Sequence, residues 1–281
     1  MRGASLFVLP GTCVWMLTTA VAIQAQVAVV PEAIVRPQTI EEKLHFLRTA
    51  EVVSSKELGK GVTRSRKVTL RVGEYTHAAH FQPVDEESWN REYRRERADL
   101  RFKDYWGYNV AGFELARLLG WDEFVPPTVE RAIDGQKGAL AWWVDDVQFD
   151  ENGRVKANAT APDELGWSRQ VQRMRLFTEL VADSDRNQGN ILITKDWRLV
   201  LIDFTRGFCL RRNVREPIKL RQVEARTLDR LRALTYDEVR AHIGAWVSES
   251  EIKCLLARRD SLLRHFEQLV TERGPKAVIL S

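Results

Sequence analysis

The sequence predicts an α+β fold of two lobes, a β-rich first half followed by a helix-rich second half. Three observations predict it. Residues 51–83 and 124–147 carry short β-branched and aromatic runs broken by Gly and Asp-Gly signals. From Ser168 onward apolar residues recur mostly at helical spacing. Between the halves, residues 148–166 are polar, contain Asn152-Gly153 and Pro162, and read as a loop. Strands and helices segregated in this way indicate α+β architecture, and 281 residues suffice for one large domain or two lobes.

Composition narrows the function classes. Hydrophobic residues make up 44% of the chain and charged residues 29%, enough for a packed core and against wholesale disorder. The net charge of +4 is the small difference between 43 basic and 39 acidic residues. By itself it argues for neither a nucleic-acid partner nor a membrane.

In chain order, residues 1–25 hold one early cation, Arg2, and an apolar middle, with Ala20-Val21-Ala22 as a small-x-small cleavage site and Ala25 as a second choice. This is the pattern of a secretory signal peptide or an uncleaved membrane anchor. The expectation is an exported or membrane-anchored chain, with any membrane association made through this segment. Cleavage removes Cys13 and leaves Cys209 and Cys254, which form at most one disulfide. Residues 26–38 form a linker. The first lobe spans 39–147 and the second 148–281.

Thr39 opens a helix, with Glu42 three residues on completing a capping box and Ile40, Leu44 and Leu47 as its apolar stripe. Strands follow around Val52-Val53, Val68–Leu70 and up to Phe81, and Pro83 ends them. The first two are joined through Gly59-Lys60-Gly61. His77 and His80 lie three apart in a strand and so point to opposite faces. Val110, Phe113, Leu115, Leu118 and Leu119 form a helix stopped by Gly120, and Asp134-Gly135 is a hairpin turn. The run REYRRERADLRFK (91–103) reads as a solvated face or as a docking surface for acidic or anionic partners. Two C-terminal helices begin near Tyr236 and Ser248, the second closed by Gly274.

The stretch VADSDRNQGNILITKDWRLVLIDF (181–204) carries the chemistry. A helical stripe of Val171, Met174, Phe177, Leu180 and Val181 runs out at Asp183-Ser184-Asp185. Ile191–Ile193 and Leu199–Ile202 form a hairpin around Thr194–Trp197, which brings Asn190 and Asp203 to the same end. Mg²⁺ prefers oxygen ligands, commonly one or two protein groups with phosphate and water completing the shell. An Asn, an Asp and a separate loop Asp that accepts a hydroxyl proton are the equipment of phosphoryl transfer. Read singly, each Asp is a turn residue or a strand cap.

DRNQGN (185–190) and LIDF (201–204) resemble the catalytic and metal-binding segments of the protein kinase-like superfamily. The resemblance is to its atypical branches, where D-R-H-x-x-N replaces H-R-D: phosphatidylinositol kinases, HipA-like kinases and secretory-pathway kinases. The chain is more similar still to uncharacterised bacterial exported proteins, through NVAGFEL (109–115), VPPTVER (125–131), WWVDD (142–146), DRNQGN and LIDFTRGF (201–208). The resemblance spans roughly residues 39–276. It implies a bilobal kinase-like fold, Asp185 as the catalytic-loop Asp, and Asn190 and Asp203 as Mg²⁺ ligands. It also implies ATP as the nucleotide partner, with the segment at Trp143 and Val144 as a hinge offering backbone groups to adenine.

The chain departs from that pattern at the phosphate-binding cation, usually a strand Lys paired with a helix Glu. Gln82 and Asn109 stand near those positions, two groups able to hydrogen-bond each other but uncharged. Lys60 in the Gly59-Lys60-Gly61 turn, or Lys67, is a substitute, with Asp104 or Glu114 as its partner. Arg206 contacts phosphate or substrate, or pairs with a carboxylate of the second lobe. Two functions follow: a Mg-dependent ATP phosphotransferase acting on an unidentified protein, lipid, sugar or metabolite, or an inactive pseudokinase serving as a nucleotide-binding or scaffold module. Neither calls for a specific nucleic acid.

Overall fold

The computed structural model describes residues 36–59, 65–88 and 102–280. The expected signal segment, most of the linker, Lys60, Gly61 and most of the 91–103 run lie outside the described residues. No helix among the described residues is long and apolar enough to cross a membrane.

Helix α1 (Ile40–Thr49) starts as its sequence requires: the Thr39 hydroxyl accepts from the Glu42 amide at 3.2 Å while the Glu42 carboxylate accepts from the Thr39 amide at 2.9 Å. Its C-terminal carbonyls are met by the Arg131 guanidinium, which reaches Leu47 at 2.7 Å and Ala50 at 2.6 Å. Strands β1 (Glu51–Glu57), β2 (Arg66–Val72), β3 (Tyr75–Gln82), β6 (Thr128–Ile133) and β7 (Gln136–Trp142) form an antiparallel sheet in the order β1-β2-β3-β7-β6. The β6–β7 turn is the expected Asp134-Gly135, both residues at positive φ of 53° and 76°.

Register divides this sheet into two faces. Val68, Ala79 and Trp142 stand opposite one another and are buried, in one core with Leu44, Phe46 and Leu47 of α1. On the other face run two rows, Lys67–His80–Ala141–Thr128 and Gln82–Ala139–Glu130. Helix α2 (Gly107–Leu118) packs there through Val110 on Ala139. Strands β4 (Asp85–Ser88) and β5 (Phe102–Tyr105) pair with each other and lead into α2. His77 and His80 project from opposite faces as alternation demands: His77 stacks on Trp142 in the core at 3.8 Å, while His80 faces the interlobe cleft.

The stretch 148–166, expected as loop, is instead partly regular. Residues Val147–Asp150 form β8, which pairs with β9 (Ile191–Thr194), and β9 pairs with β10 (Leu199–Leu201). Asp150 then caps a short helix, α3 (Glu151–Lys156), its carboxylate accepting from the Gly153 amide at 2.7 Å. Asn152-Gly153 reads as a turn in isolation, but this cap and an Arg154–Glu151 ion pair at 2.7 Å hold it helical.

Helix α4 (Glu164–Val181) buries Leu176, Phe177, Leu180 and Val181 and ends at Ala182 in the left-handed region. Helices α5 (Ala225–Ala233), α6 (Tyr236–Ile243) and α7 (Glu249–Arg273) complete the helical lobe, the last ending at Gly274 with φ of 81°. A short helix, α8 (Pro275–Val278), follows, and β11 (Val223–Glu224) pairs in parallel with β12 (Ile279–Leu280). At the centre of this lobe Arg258 is fully buried, and its guanidinium takes the carbonyls of Leu180 at 2.8 Å and Cys209 at 3.0 Å, and that of Arg211. Burial lowers its pKa to about 10. Cys209 and Cys254 are free thiols.

The lobes are tied beside α2. The Tyr108 hydroxyl donates to Glu251, the capping-box residue of α7, and the Trp246 indole donates to Glu130 at 2.9 Å.

Candidate active site

The β9–β10 hairpin forms as its sequence predicts, with Leu201 opposite Ile191. The Ile202 amide donates to the Asn190 carbonyl at 3.1 Å, so Asn190 and Asp203 leave the hairpin side by side. Asp203 has φ of 56°, a conformation uncommon for a residue with a Cβ. It is held by its own turn, since Asp203 Oδ1 accepts from the Thr205 hydroxyl at 2.9 Å.

Arg186 fixes this arrangement. Its side chain is 7% exposed and forms a close ion pair with Asp183, which is 1% exposed. The same guanidinium donates to the carbonyls of Asn190 at 3.0 Å, Ile202, and Asp203 at 3.3 Å. It also lies 4.5 Å from the centroid of the Phe204 ring. One buried cation thus joins the loop bearing Asp185 to the segment bearing Asp203.

Asp185 is half-exposed. Its carboxylate pairs with Arg206 at 3.3 Å, and Arg206 pairs in turn with the buried Asp104 of β5 at 3.2 Å. Arg206 therefore meets a carboxylate of its own lobe and one of the first lobe. Among the described residues neither Asp104 nor Glu114 pairs with a lysine: Asp104 meets Arg206, and Glu114 lies 3.6 Å from Arg117.

Above this floor, Gln82 and Asn109 make the amide pair expected of them, with Asn109 Nδ2 donating to Gln82 Oε1 at 2.9 Å. The chain of contacts continues at both ends. Gln82 Nε2 lies 3.4 Å from Asp203 Oδ1, and the Phe204 amide donates to Asn109 Oδ1 at 2.7 Å. Gly112 of α2 sits on the Phe204 ring, where an added Cβ would approach to 3.0 Å. Sheet, helix α2 and the Asp203 turn are joined with no charge on the sheet side.

A cleft of about 510 Å³ opens between the lobes, reached by His80, Gln82, Thr128, Trp143, Val144 and Asp203. Its other walls include Val125, Ala139, Ala141, Leu192 and Leu201. Trp142 is buried and Trp143 partly exposed, as strand alternation predicts, and both reach the cleft. The segment 143–146 links β7 to β8 without regular structure, and the Val144 backbone makes no hydrogen bond among the described residues. Of the glycine turn, Gly59 is described, at φ of 59°, beyond cleft-lining Leu58.

The donor set suits a hard divalent cation. Asp203 Oδ2 and the Asn190 side-chain amide have no hydrogen-bond partner among the described residues. No three His, Cys, Asp or Glu side chains cluster as a metal site among those residues. A hard divalent cation bound here would find one carboxylate and one side-chain amide as protein ligands, a set that suits Mg²⁺.

Sequence reasoning passed over Arg186, Asp183 and His80. Arg186 stands in the DRN motif, but its role as a clamp depends on carbonyls that only folding gathers.

Solved structures similar to this one include the following two. One is described as hydra Fam20 with sugar, with a TM-score of 0.64 and 14% identity over 86% of this chain and 92% of that one. The other, the Golgi casein kinase, has a TM-score of 0.56 and 13% identity over 85% of this chain and 77% of that one. At such identities the likeness establishes the fold, which is protein kinase-like with an antiparallel β-sheet N-lobe and a helical C-lobe. No family model and no curated protein matches the sequence.

Proposed function

We propose that the protein is a magnesium-dependent phosphotransferase that moves the γ-phosphoryl group of ATP to a hydroxyl acceptor. The observation that carries this reading is the Arg186 clamp, which ties the loop bearing Asp185 to the backbone of Asn190 and of the cleft-lining Asp203. Asp203 and Asn190 hold the metal, which when bound neutralises charge on the donor's phosphates. Asp185 orients the acceptor hydroxyl and accepts its proton, and Arg206, tethered by Asp104, fixes the Asp185 carboxylate. The unused backbone groups of Val144 receive the base edge between Ala141 above and Leu192 and Leu201 below. In this reading residues 1–25 export or anchor the chain, which N-terminal sequencing of the mature protein tests.

A second reading, a pseudokinase that binds partners without turnover, draws on the neutral Gln82–Asn109 pair where a phosphate-binding cation is expected. Thermal unfolding with ATP, Mg²⁺ or both separates the two from a protein that binds no nucleotide. A nucleotide at about 100 times its dissociation constant stabilises by about 2.7 kcal/mol. The expected result is a Mg-dependent rise that disappears in Asp203→Ala while the variant remains folded. Undiminished Mg-dependent binding in that variant sinks the metal assignment. Binding without phosphate release to any acceptor or water favours the pseudokinase.

A further inference from the structure

Among the described residues that line the cleft there is no lysine or arginine, whereas Asp145, beside His77, Asp146, paired with Lys195 at 3.4 Å, and Asp203 are all present. A nucleoside triphosphate is repelled by such a surface unless a cation joins it. Gln82 cannot be that cation, and its amide is already committed to Asn109 and Asp203.

Strand register identifies a described cation on the sheet face that roofs the cleft. Lys67 stands opposite His80, His80 opposite Ala141, and Ala141 opposite Thr128. Directly opposed residues of antiparallel strands project from the same face. His80, Ala141 and Thr128 all line the cleft, so Lys67 projects from the same face of the sheet, just outside the residues that line it. Lys56 of β1 stands opposite Lys67 and extends the same row outward.

The Lys67 side chain is directed across the sheet. Its ammonium lies 4.1 Å from the centroid of the Trp143 ring, on a residue two strands away at the hinge end of the cleft. To arrive there it crosses β3 beside Ala78, whose carbonyl accepts from the Trp143 amide at 3.2 Å. Trp143 offers an indole face in the cleft, a surface on which a nucleotide base stacks. A base and an ammonium compete for such a face, and an exposed cation–π contact is weak enough to be exchanged for a phosphate.

We propose that Lys67 is the residue that brings positive charge to the donor's phosphates, and that a base stacking on Trp143 displaces it toward them. The proposal rests on the nucleotide reading of the cleft and adds the missing cation to it. Base and phosphate recognition are thereby coupled through one side chain. A nucleoside without phosphates has to displace the ammonium and gains nothing in return, whereas a triphosphate gains a charged contact.

Calorimetric titration of the protein and of Lys67→Ala with Mg-ATP and with adenosine tests this. Lys67 is exposed on its strand, so the variant should unfold at the wild-type midpoint. The expected result is a loss of about tenfold or more in ATP affinity, the size of one charged contact, with adenosine binding unchanged or tighter. Lys67→Arg should recover most of the loss. An ATP-to-adenosine affinity ratio unchanged from wild type, whether neither ligand or both lose affinity equally, overturns the proposal. A loss of ATP binding in Lys60→Ala with none in Lys67→Ala also overturns it, by moving the role to the glycine turn. If the wild-type protein binds neither ligand, the nucleotide reading itself fails, an outcome distinct from the other two.

Discussion

The floor and the roof of the cleft solve the same problem with opposite means. The floor is built on charge: Asp183, Asp185 and Asp203 converge within one loop and hairpin, and two arginines organise them. The roof is built on neutral amides, Gln82 and Asn109, which reach from the sheet and α2 to the Asp203 turn. On the floor the geometry depends on a buried ion pair, which is intolerant of losing either member. On the roof it depends mainly on hydrogen bonds between uncharged groups, with one long contact from the Gln82 amide to the Asp203 carboxylate, each contributing less than a buried ion pair. The comparison teaches that the roof can hold the Asp203 turn in place without a cation, so holding the turn and neutralising phosphate are separable tasks here.

Removing the floor's clamp should have the largest effect. Arg186→Ala leaves Asp183 buried without its counter-ion and frees the carbonyls of Asn190, Ile202 and Asp203. Breaking a buried pair of this kind costs about 3–5 kcal/mol, measurable by urea unfolding. A cost below about 1 kcal/mol, the worth of an exposed pair, would mean that the floor is not organised by this residue.

The matching cut in the roof should be milder. Asn109→Ala leaves the Gln82 carbonyl oxygen and the Phe204 amide without partners, a loss of about 1–3 kcal/mol. If it equals the Arg186→Ala loss, the contrast between charged floor and neutral roof fails. Gly112→Ala probes the same junction by volume: its Cβ would sit 3.0 Å from the Phe204 ring, and overpacking there costs about 1–3 kcal/mol. A crystal structure of that variant should show Phe204 displaced and the Asp203 turn with it.

The two walls also differ in how far the sequence discloses them. The floor's hairpin is legible because its determinants are local: two apolar runs, a polar turn, and Asn190 and Asp203 at defined offsets. The Thr39 capping box and the Asp134-Gly135 turn are legible for the same reason. The Gln82–Asn109 pair was accessible only through the resemblance, because a register between β3 and α2 decides it. What stays hidden joins distant residues. Arg206 meets Asp104 across 102 positions, and Tyr108 meets Glu251 across 143. Strand β8 is hidden as well, since its four residues become a strand only by pairing with β9. Arg186 is a further case: the residue is visible in the motif, but its acceptors are backbone carbonyls, which leave no mark on composition or periodicity.

The smallest expected effect concerns His80, a titratable group of the roof that lines the cleft. His80 is held below the usual histidine pKa by burial, while the negative charge of Asp203 acts in the opposite direction. Lys67, opposite it on β2, adds like charge to a protonated imidazole, and Ala141 on its other side contributes none. With the folded pKa lowered, the unfolded chain binds the His80 proton more readily than the folded one below about pH 7. Stability contributed by neutral His80 is therefore present above the ordinary histidine pKa and is lost as pH falls through about 6.5 toward the depressed value. The slope attributable to one such group is at most about 1.4 kcal/mol per pH unit. Urea unfolding of wild type and His80→Gln at pH 7.5, 6.5 and 5.5 isolates it, since groups common to both proteins cancel in the difference. The expected outcome is a wild-type stability that falls more steeply with acidification than that of His80→Gln. Parallel slopes would show that the imidazole protonates freely in the folded protein, and the roof beside Lys67 would then be open to water and to charge.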